Sequence, residues 1–284
     1  MEGFNFNAFY VIESLDKSEK LTGTELYNDV LRYSDLKDKV LSAHLITINS
    51  KEELLKSLID IKEHCLNENM SPIIHFEIHG CIEGLVTNSN ELITWEELHP
   101  YLIEINVASR HNLFITLAVC HGAYILQLHQ ITKRAPFWGF IGSFDEINQG
   151  DLMIRYNAFY QTLLNTFDIT EAVVELHKSN PEIESSFRFI NSEKFFISLY
   201  ESYIKNEFSE ERYHTRWERA LNDANTTLAN RAEKRRFKKD FYKKLKEENL
   251  PRYYRDKEHF FMSDLYPENS KYCSNYIPKF PDKD

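Results

Sequence analysis

Two apolar, β-branched runs that each end at a glycine constrain this chain more than any other feature. The first is residues 73–80, IIHFEIHG, and the second is residues 113–122, LFITLAVCHG. Runs of this length and composition are typical of buried strands and are too short for helices. In open α/β sheets, functional groups gather beyond the carboxyl ends of parallel strands. If the two runs form neighbouring parallel strands, His79 and Cys120 emerge side by side at that edge.

Strand and helix signals alternate through the first half of the chain. Apolar runs predict three further strands, at residues 7–15, 43–48 and 136–144, with amphipathic segments between them. All eight glycines precede residue 151, and the rest of the chain has helical periodicity. The alternation predicts an α/β fold with a mostly parallel sheet and helices on both faces over residues 1–168. A helical C-terminal extension, packed on or beside this core, is predicted over residues 169–284.

Turn and capping residues set the local predictions. A helix is predicted over residues 22–39, a polar loop before a helix that starts near Thr94, and a further helix over residues 121–131. Asp151 is a candidate N-cap for the helix that follows it. Later helices are predicted from Ile169, Ser192 and Ser209.

Composition is that of an ordinary soluble globule, with 42% hydrophobic residues, 27% charged residues and a net charge of −10. The first residues, MEGFN, lack the basic and apolar regions of a signal peptide, and no apolar run reaches membrane-spanning length. The four cysteines form no Cys-x-x-Cys pair, which favours free thiols in a reducing compartment. We therefore expect a cytoplasmic protein with no membrane partner.

The residues at the two strand ends match the needs of a cysteine peptidase. Such an enzyme requires a thiolate, a proton shuttle beside it, and N–H donors for the tetrahedral oxyanion. Cys120 lies where a strand gives way to a helix, so backbone N–H groups converge on it. His79 can act as the proton shuttle. Gly80 lacks a Cβ, which leaves its N–H open to an approaching oxygen.

The pattern resembles the caspase-like (clan CD) cysteine peptidases, a group that includes caspases, metacaspases, separase, gingipains and the bacterial CHAT proteases. An apolar strand ends in His-Gly, and a second, 41 residues on, ends in small-x-Cys-x-Gly. Residues 140–164, from FIGSFD to FYQTLL, look like the CHAT pattern in particular. The resemblance covers about residues 5–170. It implies a His79/Cys120 catalytic dyad, the N–H groups of Gly80 and Cys120 as oxyanion donors, and neither metal nor cofactor.

The resemblance departs from its best-known members at the substrate pocket. Caspases place a glutamine two residues before the cysteine and metacaspases an aspartate, whereas this chain has Ala118. Neither the aspartate specificity of caspases nor the basic-residue specificity of metacaspases is therefore implied at that position. Acidic residues follow the fifth strand, where related enzymes place pocket residues, and they would favour a basic substrate side chain. The predicted substrate pocket thus consists of Ala118, Asp145, Glu146 and Asp151, with a helix N-cap as the other role for Asp151.

Two other interpretations of the same residues stay open. His75, Glu77 and His79 alternate along one face of their strand, and zinc ligand sets vary enough to include them. A ligating strand buried in a parallel sheet would be unusual, so the sequence favours catalysis without metal. Cys81, Cys120 or His121 would complete the set of zinc ligands. The second interpretation is a catalytically inactive caspase-like module that binds a partner or a nucleotide through the same crevice.

Residues 231–257 are locally basic, with twelve Lys and Arg against five Asp and Glu. One interpretation is a solvated helix face, and the other is a docking site for phosphate groups. The candidate anion ligands are Arg235, Arg236, Arg252 and Arg255, with Tyr253 and Tyr254 as stacking surfaces. The sequence as a whole predicts a regulated endopeptidase that cleaves protein substrates, by resemblance a bacterial defence effector. We expect an activating partner protein or a small signalling nucleotide, and not nucleic acid, as its regulator.

Overall fold

The structure is a computed structural model that describes residues 4–128, 130–223 and 231–281. Its described residues fall into two compact units. The first contains the residues up to 128 together with 135–192, and the second contains 130–134 and the residues from 193 onward. The domain boundary predicted at residue 168 lies between two helices of the first unit.

The first unit alternates strands and helices as the sequence pattern indicates. Two 3-10 helices, Leu31–Leu36 and Gly122–Leu128, interrupt the alternation. In chain order the elements are β1 (Ala8–Ser14), α1 (Thr22–Asp29), β2 (Ser42–Thr47), α2 (Lys51–Glu68), β3 (Pro72–Cys81), β4 (Gly84–Val86), β5 (Leu92–Thr94), α3 (Trp95–Ala108), β6 (Phe114–Leu117), β7 (Gly139–Ser143), α4 (Gln149–Thr166), α5 (Ile169–Lys178) and β8 (Phe187–Asn191).

The sheet has the order β2-β1-β3-β6-β7-β8. The first five of these strands are parallel to their neighbours, and β8 runs antiparallel to β7 at one edge. β3 and β6 are direct parallel neighbours, which confirms the pairing expected from the two apolar runs. The short strands β4 and β5 form a hairpin against the end of β3. The predicted α/β class with a mostly parallel sheet is confirmed.

Helices cover both faces of this sheet. Successive residues of a strand point to opposite faces, and Glu13 of β1 is the register partner of Glu77 of β3. Glu77 accepts a hydrogen bond from Thr22 of α1. Tyr10 of β1 is three residues from Glu13, so its side chain points to the other face of the sheet. Its hydroxyl lies 3.1 Å from the ring of His64 in α2. A helix therefore contacts each face of the sheet, α1 on the Glu77 side and α2 on the Tyr10 side.

Four local predictions differ from the structure. The helix predicted over residues 22–39 ends at Asp29 and continues only as a 3-10 turn. The stretch predicted as a polar loop after His79 contains β4 and β5, because pairing with the end of β3 satisfies their backbone groups. The helix predicted over residues 121–131 is the 3-10 helix Gly122–Leu128. The five-residue strand β8 was not predicted, since its alternation is too short to stand out.

The N-cap predicted at Asp151 is also wrong. Asn148 caps α4, because its side chain accepts hydrogen bonds from the N–H groups of Gly150 and Asp151. The Asp151 carboxylate is instead buried and binds Arg155 on the same helix, with Nε to Oδ1 at 2.7 Å. The cap therefore lies three residues before the predicted one, and the helix begins at Gln149.

The second unit is helical. Its aromatic core includes Phe196, Tyr200, Tyr253 and Phe260, which contact one another in pairs. Its helices are α6 (Ser192–Glu207), α7 (Glu210–Asp223) and α8 (Arg231–Phe260), with a 3-10 helix at Pro267–Lys271. Among all the described residues, no helix combines the length and the apolar character needed to cross a bilayer.

Candidate active site

His79 lies where β3 leaves the core. The strand is buried from Pro72 to Ile78, whereas the His79 side chain is 54% exposed. Its backbone still pairs with Val86 of the β4–β5 hairpin, which holds the residue in place. The ring Nε2 lies 3.1 Å from the Glu19 carboxylate. The other ring nitrogen, Nδ1, is the one left for a substrate or a thiol.

Cys120 lies in the turn just beyond β6. The Ala118 N–H donates to the Phe76 carbonyl, so pairing with β3 continues past the last residue of β6. The chain then turns, with His121 in the left-handed region at φ 59°. The Ile147 N–H donates to Cys120 Sγ over 3.4 Å. This donor stabilises negative charge on the sulfur, as a nucleophilic thiolate requires.

Gly80 brings these two strand ends together. A Cβ added at Gly80 would lie 2.2 Å from the Cys120 carbonyl oxygen and 2.2 Å from Val119 Cγ1. Atoms at such a separation overlap, so only glycine lets the end of β3 approach the Cys120 turn this closely. The sequence predicted an open approach at Gly80, and here the approaching group is the backbone of Cys120 itself.

One cavity of about 210 Å³ is lined by both His79 and Cys120. Within the described part of the chain, no direct hydrogen bond joins the two side chains, and the cavity that they line has room for a bound group. A peptide carbonyl held there would lie between the nucleophile and the proton shuttle. The remaining lining residues are Leu15, Glu19, Thr22, Glu77, Ile78, Ala118, Ile147, Gln149 and Leu152.

Glu19 is a residue of the cavity lining that sequence reasoning missed. It lies in the loop between β1 and α1, and its contact with His79 joins residues 60 positions apart. Its carboxylate also accepts the Asp16 N–H over 2.9 Å. That backbone hydrogen bond, and then the bond to His79, lower the pKa of Glu19. The one available signal was its place after β1, since strand ends meet at one edge of a parallel sheet.

His75 and Glu77 belong to a buried polar chain under the cavity. His75 Nε2 lies 3.1 Å from a Glu77 oxygen, and His75 Nδ1 lies 2.7 Å from the Thr116 hydroxyl. His79, the third residue of the zinc interpretation, instead contacts Glu19. Across the residues that the structure describes, no group of three or more His, Cys, Asp or Glu is arranged to hold a metal ion.

Of the four predicted pocket residues, Ala118 alone lines the cavity. Asp145 and Glu146 are exposed and lie outside its lining. The Asp151 carboxylate binds Arg155 and also accepts from Asn180 Nδ2 over 2.7 Å. The acidic residues that line the cavity are instead Glu19 and Glu77.

His121 links the Cys120 turn to the loop after β7 by two hydrogen bonds. Its N–H donates to the Asp145 carbonyl over 3.1 Å, and its ring Nδ1 lies 2.7 Å from the Phe144 carbonyl oxygen. A carbonyl only accepts, so Nδ1 carries the proton in this contact. The residue holds the turn in place and does not line the cavity.

The basic residues of the anion-binding prediction all lie on α8. Arg235 and Arg236 are exposed. Arg255 pairs with Glu248 over 3.5 Å, and Arg252 lies over the Tyr203 ring at 5.0 Å while pairing with Asp256. The predicted stacking role of Tyr253 is wrong, because this ring is fully buried and its hydroxyl donates to the Tyr276 carbonyl. The neighbouring Tyr254 is exposed.

Comparison with known proteins adds little to this geometry. No protein-family model matches the chain, and no curated protein matches it. Among solved structures, the chain is similar to caspase-1 from Spodoptera frugiperda, with 16% sequence identity and a TM-score of 0.42. The similarity covers 66% of this chain and 89% of caspase-1. Identity and score at this level do not bear on activity, and the resemblance to CHAT proteases stays a prediction.

Proposed function

We propose that this protein is a caspase-like cysteine endopeptidase that uses His79 and Cys120 as its catalytic dyad. The observation that supports this best is that both side chains line one cavity at the carboxyl ends of β3 and β6. A backbone N–H faces the sulfur of Cys120, and a carboxylate faces the ring of His79. Nucleophile, proton shuttle and orienting group thus share one edge of the sheet.

In the proposed acylation step, the Cys120 thiolate attacks the carbonyl carbon of the scissile peptide bond. The oxyanion that forms is bound by the N–H groups of Gly80 and Cys120, whose backbones adjoin. The protonated His79 gives its proton to the leaving amine, the C–N bond breaks, and a thioester remains on Cys120. The carboxylate of Glu19 stabilises the imidazolium and keeps Nδ1 turned to the cavity.

Deacylation reverses the role of His79. The neutral imidazole takes a proton from a water molecule, and the resulting hydroxide attacks the thioester carbonyl. The C–S bond breaks, the carboxylic acid product leaves, and the thiolate of Cys120 is restored beside protonated His79. The Ile147 N–H stabilises the sulfur as leaving group, because it donates to Sγ.

A fluorogenic peptide library tests this proposal. The purified protein should cleave a subset of the library, and Cys120→Ala should abolish cleavage with an unchanged melting temperature, because the change removes little volume. Cys81→Ala is the matched control, since Cys81 is also partly exposed but does not line the cavity. Cleavage that survives Cys120→Ala would contradict the proposal. A protein that binds peptides without cleaving any would instead be the inactive module.

Regulation of the proposed peptidase stays a prediction. The exposed Arg235 and Arg236 belong to the basic segment and present cationic groups to solvent. Guanidinium groups suit phosphate and carboxylate ligands, which fits an activating nucleotide or an acidic partner protein. The other two arginines of the prediction already contact Glu248 and Asp256.

A further inference from the structure

All the charged residues on one side of the N-terminal half of α8 are cations. A helix advances about 100° per residue, which places the cations of this side in an arc of about 160°. Glu233 and Asp240 share a separate strip, so no acidic residue of the segment falls in the arc. Every cation in the arc is exposed. This cationic face consists of Arg231, Arg235, Arg236, Lys238, Lys239, Lys243 and Lys246.

Helix α7 covers the other side of this half of α8. The centroid of the Trp217 ring lies 5.5 Å from that of Phe237 and 5.7 Å from that of Phe241. The ring of Tyr213 in α7 likewise lies 5.7 Å from that of Tyr242. Phe237 and Phe241 point away from the middle of the cationic face, on the opposite side of the helix. The apolar residues of α8 are thus packed on α7, and the cations remain on the outer side of the helix pair.

The spacing of these cations disfavours the helix that carries them. Opposite charges four residues apart stabilise an exposed helix, whereas like charges at that spacing destabilise it. Along the cationic face, three successive steps of four residues join like charges, from Arg231 through Arg235 and Lys239 to Lys243. A face that served only to solvate the helix would mix the two signs. An anionic partner, in contrast, offsets the repulsion between these cations.

The shape of the cationic face narrows the anionic partners that suit it. A small nucleotide binds in a concave pocket that buries most of its surface, whereas the outer side of a helix is convex. A stable protein interface needs apolar or aromatic anchors at its centre. Between its cations the face has Ala232 and Tyr242, and the Tyr242 ring contacts α7. Nucleic acid requires neither a pocket nor an anchor, because its phosphates repeat along the strand and bind cations by charge alone.

We infer that the cationic face of α8 binds the phosphate backbone of double-stranded nucleic acid, DNA or RNA, without reading its sequence. The face is about 23 Å long at about 1.5 Å per residue, so it spans several successive phosphates of a strand. Single strands bind through stacking on exposed aromatic rings, and within the described residues 231–246 no aromatic ring is exposed. The whole chain has a net charge of −10, but salt screens charges beyond about 10 Å, so the local charge governs the contact.

This inference differs from the expectation drawn from the sequence, which excluded nucleic acid. The sequence did not show that α7 covers the apolar side of α8 and leaves the cations on a convex surface. The inference goes beyond the proposed peptidase function and does not depend on it, because α8 contributes no residue to the cavity beside Cys120.

Fluorescence anisotropy with labelled, random-sequence duplexes tests the inference on the whole protein. DNA and RNA duplexes of about 30 base pairs should both bind, and the dissociation constant should rise about 10²- to 10³-fold between about 50 and 200 mM salt, as expected for about four to six phosphate contacts. Binding to one duplex alone supports the inference and identifies the kind of nucleic acid. Absence of binding to both at the lower salt concentration overturns it. Tighter binding to anionic lipid vesicles, or to an acidic peptide of equal charge, also overturns it.

Two double variants locate the binding surface on the helix. Arg235→Gln with Lys239→Gln removes two charges from the middle of the cationic face, so binding should weaken at least about 10-fold and the salt slope should fall by about 2. Lys234→Gln with Lys244→Gln is the matched control, since it removes two exposed charges from the same helix outside the arc. The control should bind within about twofold of the parent protein.

Equal weakening by the two double variants would reduce the effect to net charge and overturns the inference. All four replaced residues are exposed, so both variants should melt at the temperature of the parent. If one of them does not fold, the salt dependence of the parent protein still decides the matter. Neither measurement involves cleavage, so its failure is distinguishable from a failure of the peptide-library assay.

Discussion

Replacing Glu19 by Gln removes one negative charge beside His79 and leaves the size of the side chain nearly unchanged. The Glu19 carboxylate lies 3.1 Å from His79 Nε2 and also accepts a hydrogen bond from the Asp16 N–H over 2.9 Å. In the proposed mechanism His79 becomes positively charged before it protonates the leaving amine. The carboxylate therefore acts on the reacting state more than on substrate binding.

The size of the effect follows from how exposed the pair is. The side chains of His79 and Glu19 are 54% and 36% exposed, so solvent screens them strongly. Folding stability should consequently fall by only about 0–1 kcal/mol. The charged hydrogen bond in the reacting state is worth about 1–2 kcal/mol more than a neutral one, which lowers kcat about 5- to 30-fold. KM should stay close to the parent value, because Glu19 acts on the protonated ring.

Steady-state kinetics on the best peptide of the library, together with thermal melting, measure this. Glu25→Gln is the matched control, since Glu25 is also a half-exposed carboxylate but pairs with Lys20 over 3.3 Å. The control should keep the parent kcat. A Glu19→Gln variant with unchanged kcat, or one that loses activity only through a lower melting temperature, would refute the positioning role.

Three further predictions concern the site and the thiols. His79→Ala should lower kcat/KM about 10²- to 10⁴-fold, whereas His121→Ala should mainly lower the melting temperature, because it removes the hydrogen bond to the Phe144 carbonyl. Kinetics and thermal melting on both variants check this. A His121→Ala variant that is folded but inactive would show that the wrong histidine was chosen. Dialysis against a chelator should leave cleavage intact, because thiol and imidazole chemistry needs no metal; lost activity restored by zinc would contradict this. Burial raises the pKa of the Cys65 thiol to about 12. Above about pH 9 this thiol therefore loses its proton in the unfolded chain and keeps it in the folded protein. The free energy of unfolding should then fall by about 1.4 kcal/mol per pH unit because of this group. Urea melts from about pH 9 upward should show a shallower fall for Cys65→Ala; equal slopes would count against the buried neutral thiol.

The strands and their parallel arrangement could be predicted because they depend on residues close together in sequence. The two apolar runs define their own strands, and the alternation of strands and helices makes a parallel arrangement the economical one. The structure confirms that β3 and β6 are parallel neighbours. His79 and Cys120 follow from that pairing, since both come just after the last buried residues of their runs.

Residues distant in sequence explain what could not be predicted. Glu19 reaches His79 from a loop 60 positions away, and no periodicity or motif marks it. Glu77 was singled out only because it alternates with His75 and His79 along its strand, and the folded chain shows its neighbour Glu13 and the cavity that it lines. The cap of α4 was misplaced because Asn148 and Asp151 are both good N-cap residues, and the surrounding structure decides between them.

The central claim is that Cys120 is the nucleophile of a peptidase site, and covalent trapping by a substrate-like electrophile tests it most directly. A peptidyl acyloxymethyl ketone with the sequence of the best-cleaved library peptide is incubated with the folded protein, and the adduct is located by peptide mass mapping. Burial raises the pKa of Cys273, as it does that of Cys65, to about 12, so both thiols should stay unlabelled near neutral pH. The account predicts one adduct, on Cys120, that forms far more slowly in His79→Ala. Labelling of Cys81 in its place, or labelling of Cys120 at the same rate without His79, would contradict it.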